Sequence, residues 1–254
     1  MYGPGLPGWD ESIPLLLAPE TYNEDLVRPL QSTFLTSSIK RRTTQHMQLA
    51  IHAAEKALEG TGTDRSSIEL VFATSEGDLD IAHHIFYSLT LEGKPVSPMK
   101  FQNVILNAAA GHLGILMKNT ASATTVTAAS NSLAVGLLQS YTTALTESLP
   151  ILYVAYDAPS ILKMDPKSKP IDPFAVSFLF RPEPSDRSIA SIRLNLLDGT
   201  DSTPVDDPVL AQISKRSSAA GSLPLLIALA KKQRAMVALP YSNSQSLNIE
   251  VTPC

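Results

Sequence analysis

NAAAGHLGILMKNTASATTVTAASNSLAVG, residues Asn107 to Gly136, decides how this chain is read. Its small and apolar residues predict a helix over Val104 to Met117. The Thr/Val-rich run Ala123 to Ala128 predicts a strand, and Ser132 to Leu145 a second helix. Between them, Thr127-Ala128-Ala129-Ser130-Asn131-Ser132 must turn sharply. A strand that turns straight into a helix holds its turn residues under the helix N-terminus, among unpaired backbone N–H groups. That is a good place for a nucleophile, yet the chain's one cysteine is Cys254, its last residue.

Outward from that stretch, strands and helices alternate. Ser38 is read as the cap of a helix from Ile39 to Leu58, ended by Gly60. Ile68 to Ala73 reads as a short strand, Thr74 to Gly77 as a turn, and about Asp78 to Leu91 as a helix. Val96 to Gln102 reads as a linker near Pro95 and Pro98. Ile151 to Tyr156 is a continuous apolar run, the pattern of a strand buried on both faces. Beyond it, Ala175 to Phe180, Ser188 to Leu197, Met236 to Pro240 and Leu247 to Val251 read as strands. Pro208 to Lys215 and Leu223 to Arg234 read as helices, and the charged loop Lys163 to Asp172 as surface. The first 37 residues, rich in Pro and Gly, read as irregular, and the part from about residue 175 as β-rich. The alternation predicts one domain over residues 1–254, an α/β sandwich with helices on both faces of a five-stranded mixed sheet. Thr124 to Thr127 is expected as a central or interface strand.

With 44% hydrophobic and 17% charged residues, the 254-residue chain can bury a full core. A net charge of −4 without any long Lys/Arg block argues against nucleic acid as a partner. One cysteine excludes a disulfide framework and a cysteine-based zinc site. The apolar run Ile13 to Ala18 follows Asp10 and Glu11, contains Pro14 and is too short to span a bilayer. A cytoplasmic protein without membrane insertion, metal or cofactor is expected.

Several segments together resemble one family. Arg41-Arg-Thr-Thr-Gln-His-Met-Gln-Leu-Ala50, leading into Ala53 to Leu58, is similar to the first long helix of β-ketoacyl synthases. Thr74 to Asp80 resembles their next strand-to-helix turn, and Ser97-Pro98 their following linker. Asn107 to Ile115 is similar to the segment before their nucleophile strand. More narrowly, the chain resembles the short β-ketoacyl synthase-like N-terminal-domain family, roughly the first half of a ketosynthase. The resemblance implies a thiolase-like fold. Members of this family accompany full ketosynthases in aryl polyene pigment clusters, where they resemble chain length factors.

The departures from the family are as telling. The resemblance implies a cysteine that takes the acyl chain and two histidines from the second half of the molecule. Counting from His112 puts Ser130 at the cysteine position, and counting back from Gly136 puts Ala128 there, with Ala129 between. None is a thiol. All five histidines (His46, His52, His83, His84 and His112) precede Ser130. His112 reads as a packing residue. His83 and His84 are neighbours on a helix and point about 100° apart, so they cannot face one ion. Ser130 lacks the nucleophile-elbow pattern Gly-x-Ser-x-Gly and an evident base, and an N-cap role for Ser130 or Asn131 suffices.

What the resemblance implies is a catalytically silent subunit of a heterodimer with a full ketosynthase, meeting acyl carrier protein through that complex. In the family, nucleophile strands pair across the subunit interface, here Thr125 and Thr127. The segment Lys100 to Gly111 reaches the partner's acyl pocket. Phe101, Val104 and Ile105 would be apolar wall, and Ala108, Ala109, Ala110 and Gly111 would allow close backbone approach. Two alternatives stand beside this reading. One is an acyl-carrier hydrolase, decarboxylase or transferase using Ser130. The other is a scaffold or carrier-protein-binding module without an acyl tunnel.

Overall fold

The structure, a computed structural model, describes residues 1–26, 28–160 and 172–254. Up to residue 171, the loop expected over Lys163 to Asp172 lies outside the described residues. The N-terminal part is not wholly irregular. It contains helix α1 (Trp9–Leu17), which carries Asp10 and Glu11 in its first turn and tolerates Pro14 within it. The expected helix over Ile39 to Leu58 is two helices, α2 (Ser37–Lys40) and α3 (Gln45–Leu58). Local side-chain bonds break it: Thr43 Oγ1 donates to Ile39 O, and Thr44 Oγ1 caps α3 by accepting from Met47 N–H. The cap of α2 is Thr36, not Ser38.

Strand β1 (Glu69–Ala73) leads into α4 (Leu79–Thr90), capped by Asp78. The expected linker contains a helix of its own, α5 (Pro98–Asn103), with Ser97 as cap and Pro98 in its first turn. Val104 to Asn107 connects it to α6 (Ala108–Met117), so the helix expected from Val104 begins four residues later. Strand β2 (Ala123–Val126), α7 (Ser132–Glu147), β3 (Ile151–Asp157) and β4 (Phe174–Phe180) follow. The rest comprises β5 (Ala190–Asp198), α8 (Pro208–Ile213), α9 (Leu223–Lys231), β6 (Ala235–Pro240) and β7 (Gln245–Pro253).

The strands form two sheets among the described residues, where one of five strands was expected. The first is mixed, in the order β2-β1-β3-β4, with β1 parallel to both neighbours and β4 antiparallel to β3. The second is antiparallel, in the order β5-β7-β6. Every residue of β3 is buried, as its unbroken apolar run requires. Strand β2 lies at the edge of the first sheet, so of the two expected places the central one is excluded.

Apolar side chains pack on both faces of the mixed sheet. One face carries Val71, Tyr153 and Val176 against α7, α9 and the second sheet. The other carries Leu70, Phe72, Leu152 and Val154 against α3 and α6. This two-sided burial makes a layered α/β architecture and aims the C-terminal ends of β1, β2 and β3 at one rim. Crevices at that rim are where open α/β sheets place their sites.

Candidate functional site

At the rim, the chain leaves β2 through a strained elbow. Ala129 holds φ at +48°, in the left-handed region that disfavours side chains. A short 3₁₀ turn, Ala129–Asn131, then feeds α7. The hydroxyl that secures this turn belongs to buried Ser132. Its Oγ accepts from Ala128 N–H at 2.8 Å and donates to Ala129 O at 2.8 Å. Ser130 and Asn131, expected as caps, make no capping side-chain bond. Ser130 is exposed, and its Oγ contacts Asn131 Oδ1 at 3.5 Å. The strained residue is thus Ala129, between the two positions that counting selects.

Helix α7 is held close to the sheet beneath the elbow. Gly136 is buried where a Cβ would meet the Tyr153 ring at 2.6 Å and the Ala73 Cβ at 2.9 Å. Tyr153 Oη donates to Leu133 O at 2.7 Å, and Leu133 N–H donates to Ser218 Oγ at 2.9 Å. Asp157, buried at the end of β3, ties the rim together. Its Oδ1 accepts from Ser75 N–H (2.8 Å), Ser75 Oγ (2.7 Å) and Thr74 Oγ1 (3.2 Å), and its Oδ2 from Ala219 N–H (2.9 Å). Sequence reasoning passed over Asp157. The available signal was a carboxylate closing a run of buried apolar residues.

His46 and His112 join neighbouring elements. His112 Nε2 lies 3.2 Å from Asn103 Oδ1, while Asn103 Nδ2 donates to Arg42 O at 2.7 Å. This chain of contacts joins α6 and α5 to the α2–α3 connection. His46 is buried against Tyr156, with Nε2 3.3 Å from Thr74 Oγ1. Burial pushes both imidazoles below their ordinary pKa and keeps them neutral. His83 and His84 are exposed on α4. Among the described residues no three His, Cys, Asp or Glu side chains are grouped to hold a metal ion.

Large apolar side chains are exposed on α4 to α6 and the segment joining α5 to α6. Phe101 is 62% exposed, Ile105 52% and Ile115 75%, with Phe86, Tyr87 and Met99 exposed on α4 and α5. Val104 is half-buried. Exposed apolar groups on consecutive elements are what an interaction face presents. Ala108, Ala109 and Ala110 fill the chain's own core, whereas Gly111 is exposed. On β2, Thr125 is half-buried and its Oγ1 is enclosed without a hydrogen-bond partner, while Thr127 donates to Ser75 O at 2.9 Å. Among the described residues no helix is long and apolar enough to cross a membrane.

The sequence profile described as beta-ketoacyl synthase, N-terminal domain, matches residues 18–241. No curated protein sequence matches the chain. Among solved structures, it superposes with a TM-score of 0.71 on a ketosynthase (ApeO) in complex with its chain length factor (ApeC) from Xenorhabdus doucetiae. Identity there is 19%, over 97% of this chain and 94% of that one. The ishigamide ketosynthase/chain length factor gives a TM-score of 0.67 at 14% identity, over 89% and 85% of the two chains. A type II polyketide synthase acyl-carrier protein in complex with its ketosynthase bound to the hexaketide, AntDE:AntF, gives 0.72 at 10% identity, over 97% and 94%. At these identities the likeness establishes the ketosynthase fold.

Proposed function

The chain belongs to the beta-ketoacyl synthase N-terminal domain family, and on that premise we propose that it is a catalytically silent, chain-length-factor-like subunit. It pairs with a complete ketosynthase and shapes that enzyme's acyl tunnel, in aryl polyene, polyketide or fatty-acid-type biosynthesis. One observation carries the reading. The elbow at Ala129 is strained, the side-chain partner of its exposed Ser130 among the described residues is Asn131, and the chain's one cysteine is Cys254. A backbone kept in a costly conformation without a nucleophile serves to position neighbours, here α7 and the edge strand β2. The exposed apolar residues Phe101, Ile105 and Ile115 then have a use as partner-facing wall. Two solved structures of the same fold are of a ketosynthase with its chain length factor, which agrees with this reading.

Mechanistically, this subunit makes and breaks no bond. It contributes volume and apolar surface: burying that face would stabilise the pair by about 25 cal/mol per Å². Obligate heterodimers bury about 2,000 Å² or more. The test is co-expression with a ketosynthase that carries its cysteine and both histidines, followed by size exclusion. A one-to-one complex is expected, with the chain alone prone to self-association. A stable monomer that ignores the ketosynthase would refute the assignment.

A further inference from the structure

Helix α5 has six residues, too few to hold a helix on propensity alone. Its Met99 and Phe101 are 46% and 62% exposed, so they fasten it poorly to the body. Asn103 is 6% exposed and is the one buried residue of α5. What this helix buries is an amide, in a stretch that otherwise shows apolar side chains to solvent.

The amide is matched on both sides. Arg42 O only accepts, so Nδ2 faces it and donates at 2.7 Å. Oδ1 then faces His112, whose Nε2 donates to it at 3.2 Å. The Arg42 carbonyl sits on a firm support. It lies on the α2–α3 connection, where Gln48 Nε2 of α3 donates to Lys40 O (3.2 Å) and Thr43 O (3.1 Å). The backbone around α5, by contrast, bonds only locally: Phe101 N–H donates to Ser97 O, Ala108 N–H to Ile105 O and Gly111 N–H to Asn107 O. Among the described residues, the bond from Asn103 to Arg42 O is the one hydrogen bond that ties residues 96–107 to anything beyond their immediate neighbours and α6. Further along, Leu106 rests on Gly77 of the β1–α4 turn, where a Cβ would lie 3.0 Å from Leu106 Cδ1.

We propose that Asn103 is a positioning residue for the partner-facing wall: its bonds to Arg42 O and His112 fix the height at which Val104 and Ile105 stand, and so sharpen the length at which the ketosynthase's growing chain stops. This deepens the function proposed above and rests on it. Asn103 touches no substrate and acts through the connection Val104 to Asn107. Clamped at Asn103 and again where Leu106 meets Gly77, that connection holds one position. Released at Asn103, it keeps only packing contacts, at Gly77 and along α4. Val104 and Ile105 then range over several positions, because a site is only as exact as the bonds that support it. A wall of fixed depth ends growth at one length, and a wall of variable depth at several.

Three variants test this. Asn103→Leu keeps the side chain's approximate shape and removes both bonds. His112→Leu removes one donor, whereas His112→Gln keeps a donor near the place of Nε2. In the free chain, hydrogen exchange is read at Phe101 and Ala108, whose N–H groups bond within the segment. It should quicken about tenfold or more in both leucine variants, with β3 unchanged, and stay at the parent's rate in His112→Gln. In complex with a cysteine-bearing ketosynthase, the leucine variants should spread products over more lengths than the parent at an unchanged rate of first condensation, and His112→Gln should keep the parent's distribution. A merely structural role would lower the yield of complex and leave the distribution alone. A parent chain that forms no complex refutes the function proposed above, and exchange in the free chain still decides for or against the clamp at Asn103. Exchange unchanged in both leucine variants, or intact leucine-variant complexes with the parent's distribution, overturns the proposal.

Discussion

Gly136→Ala isolates the close approach of α7 to the sheet. In a helix the substitution alone should gain about 0.8–1 kcal/mol, since alanine is the better helix former. The site does not permit that gain, because the new Cβ would lie 2.6 Å from the Tyr153 ring and 2.9 Å from the Ala73 Cβ. The neighbours are a buried strand on one side and a ring fixed by its bond to Leu133 O on the other. Overpacking a core costs about 1–3 kcal/mol. Displacing Tyr153 Oη from its acceptor adds about 1–3 kcal/mol for a buried hydroxyl. The net expectation is a loss of about 1–5 kcal/mol. For a chain of this size that lowers Tm by roughly 2–20 °C, measurable by calorimetry or by urea titration at constant m-value. Tyr153→Phe removes the hydroxyl that the new methyl strikes at 2.9 Å, so the double variant should lose less than the sum of the singles. A Gly136→Ala chain as stable as the parent, or strict additivity, would refute the packing described for α7.

Other consequences follow from the same contacts. Asp157→Ala strands the donors of Ser75, Thr74 and Ala219 and should cost about 3–5 kcal/mol, with Asp157→Asn milder because the amide oxygen still accepts; equal urea midpoints for the two would contradict the pinning role. Stability should fall on acidification. Burial lowers the Met1 ammonium to about 6 and holds His46, His52 and His112 below 6.5, so the unfolded chain takes up protons first, from about pH 8 downward. Urea titrations from pH 8 to 5 should show that decline, and His46→Gln should flatten its part below pH 6.5; stability that rises towards pH 5 would reverse the sign. Phe101→Ala and Ile105→Ala should leave the free chain within about 0.5 kcal/mol of the parent, because both side chains are exposed. In a complex with a ketosynthase, Phe101→Ala should permit longer products and Val104→Trp should shorten them. Unchanged lengths from intact complexes would remove this segment from the tunnel.

The sequence made the elements easier to read than their partners. The apolar run of β3 and the Thr/Val pattern of β2 report burial and period directly, so both strands lie close to where expected. The helix break at Thr43–Thr44 was hidden, because single side-chain bonds override a continuous helical pattern, and nothing local marked Val104–Asn107 as a connection. Helix α1 was masked by Pro14 and by the glycines before it. The split into two sheets depends on which distant strands pair, and nothing local to β5, β6 or β7 encodes that. At the elbow, the strand–turn–helix and the missing thiol were legible. The identity of the strained residue was not, since φ at Ala129 depends on how Ser132 folds back on the turn.

The most direct test of the silent-partner account is intact-mass spectrometry of both subunits, after a purified complex of this chain with a cysteine-bearing ketosynthase is incubated with acylated acyl carrier protein. The account predicts an acyl adduct on the ketosynthase alone and no mass change on this chain. An adduct on this chain, mapped to Ser130, would contradict it.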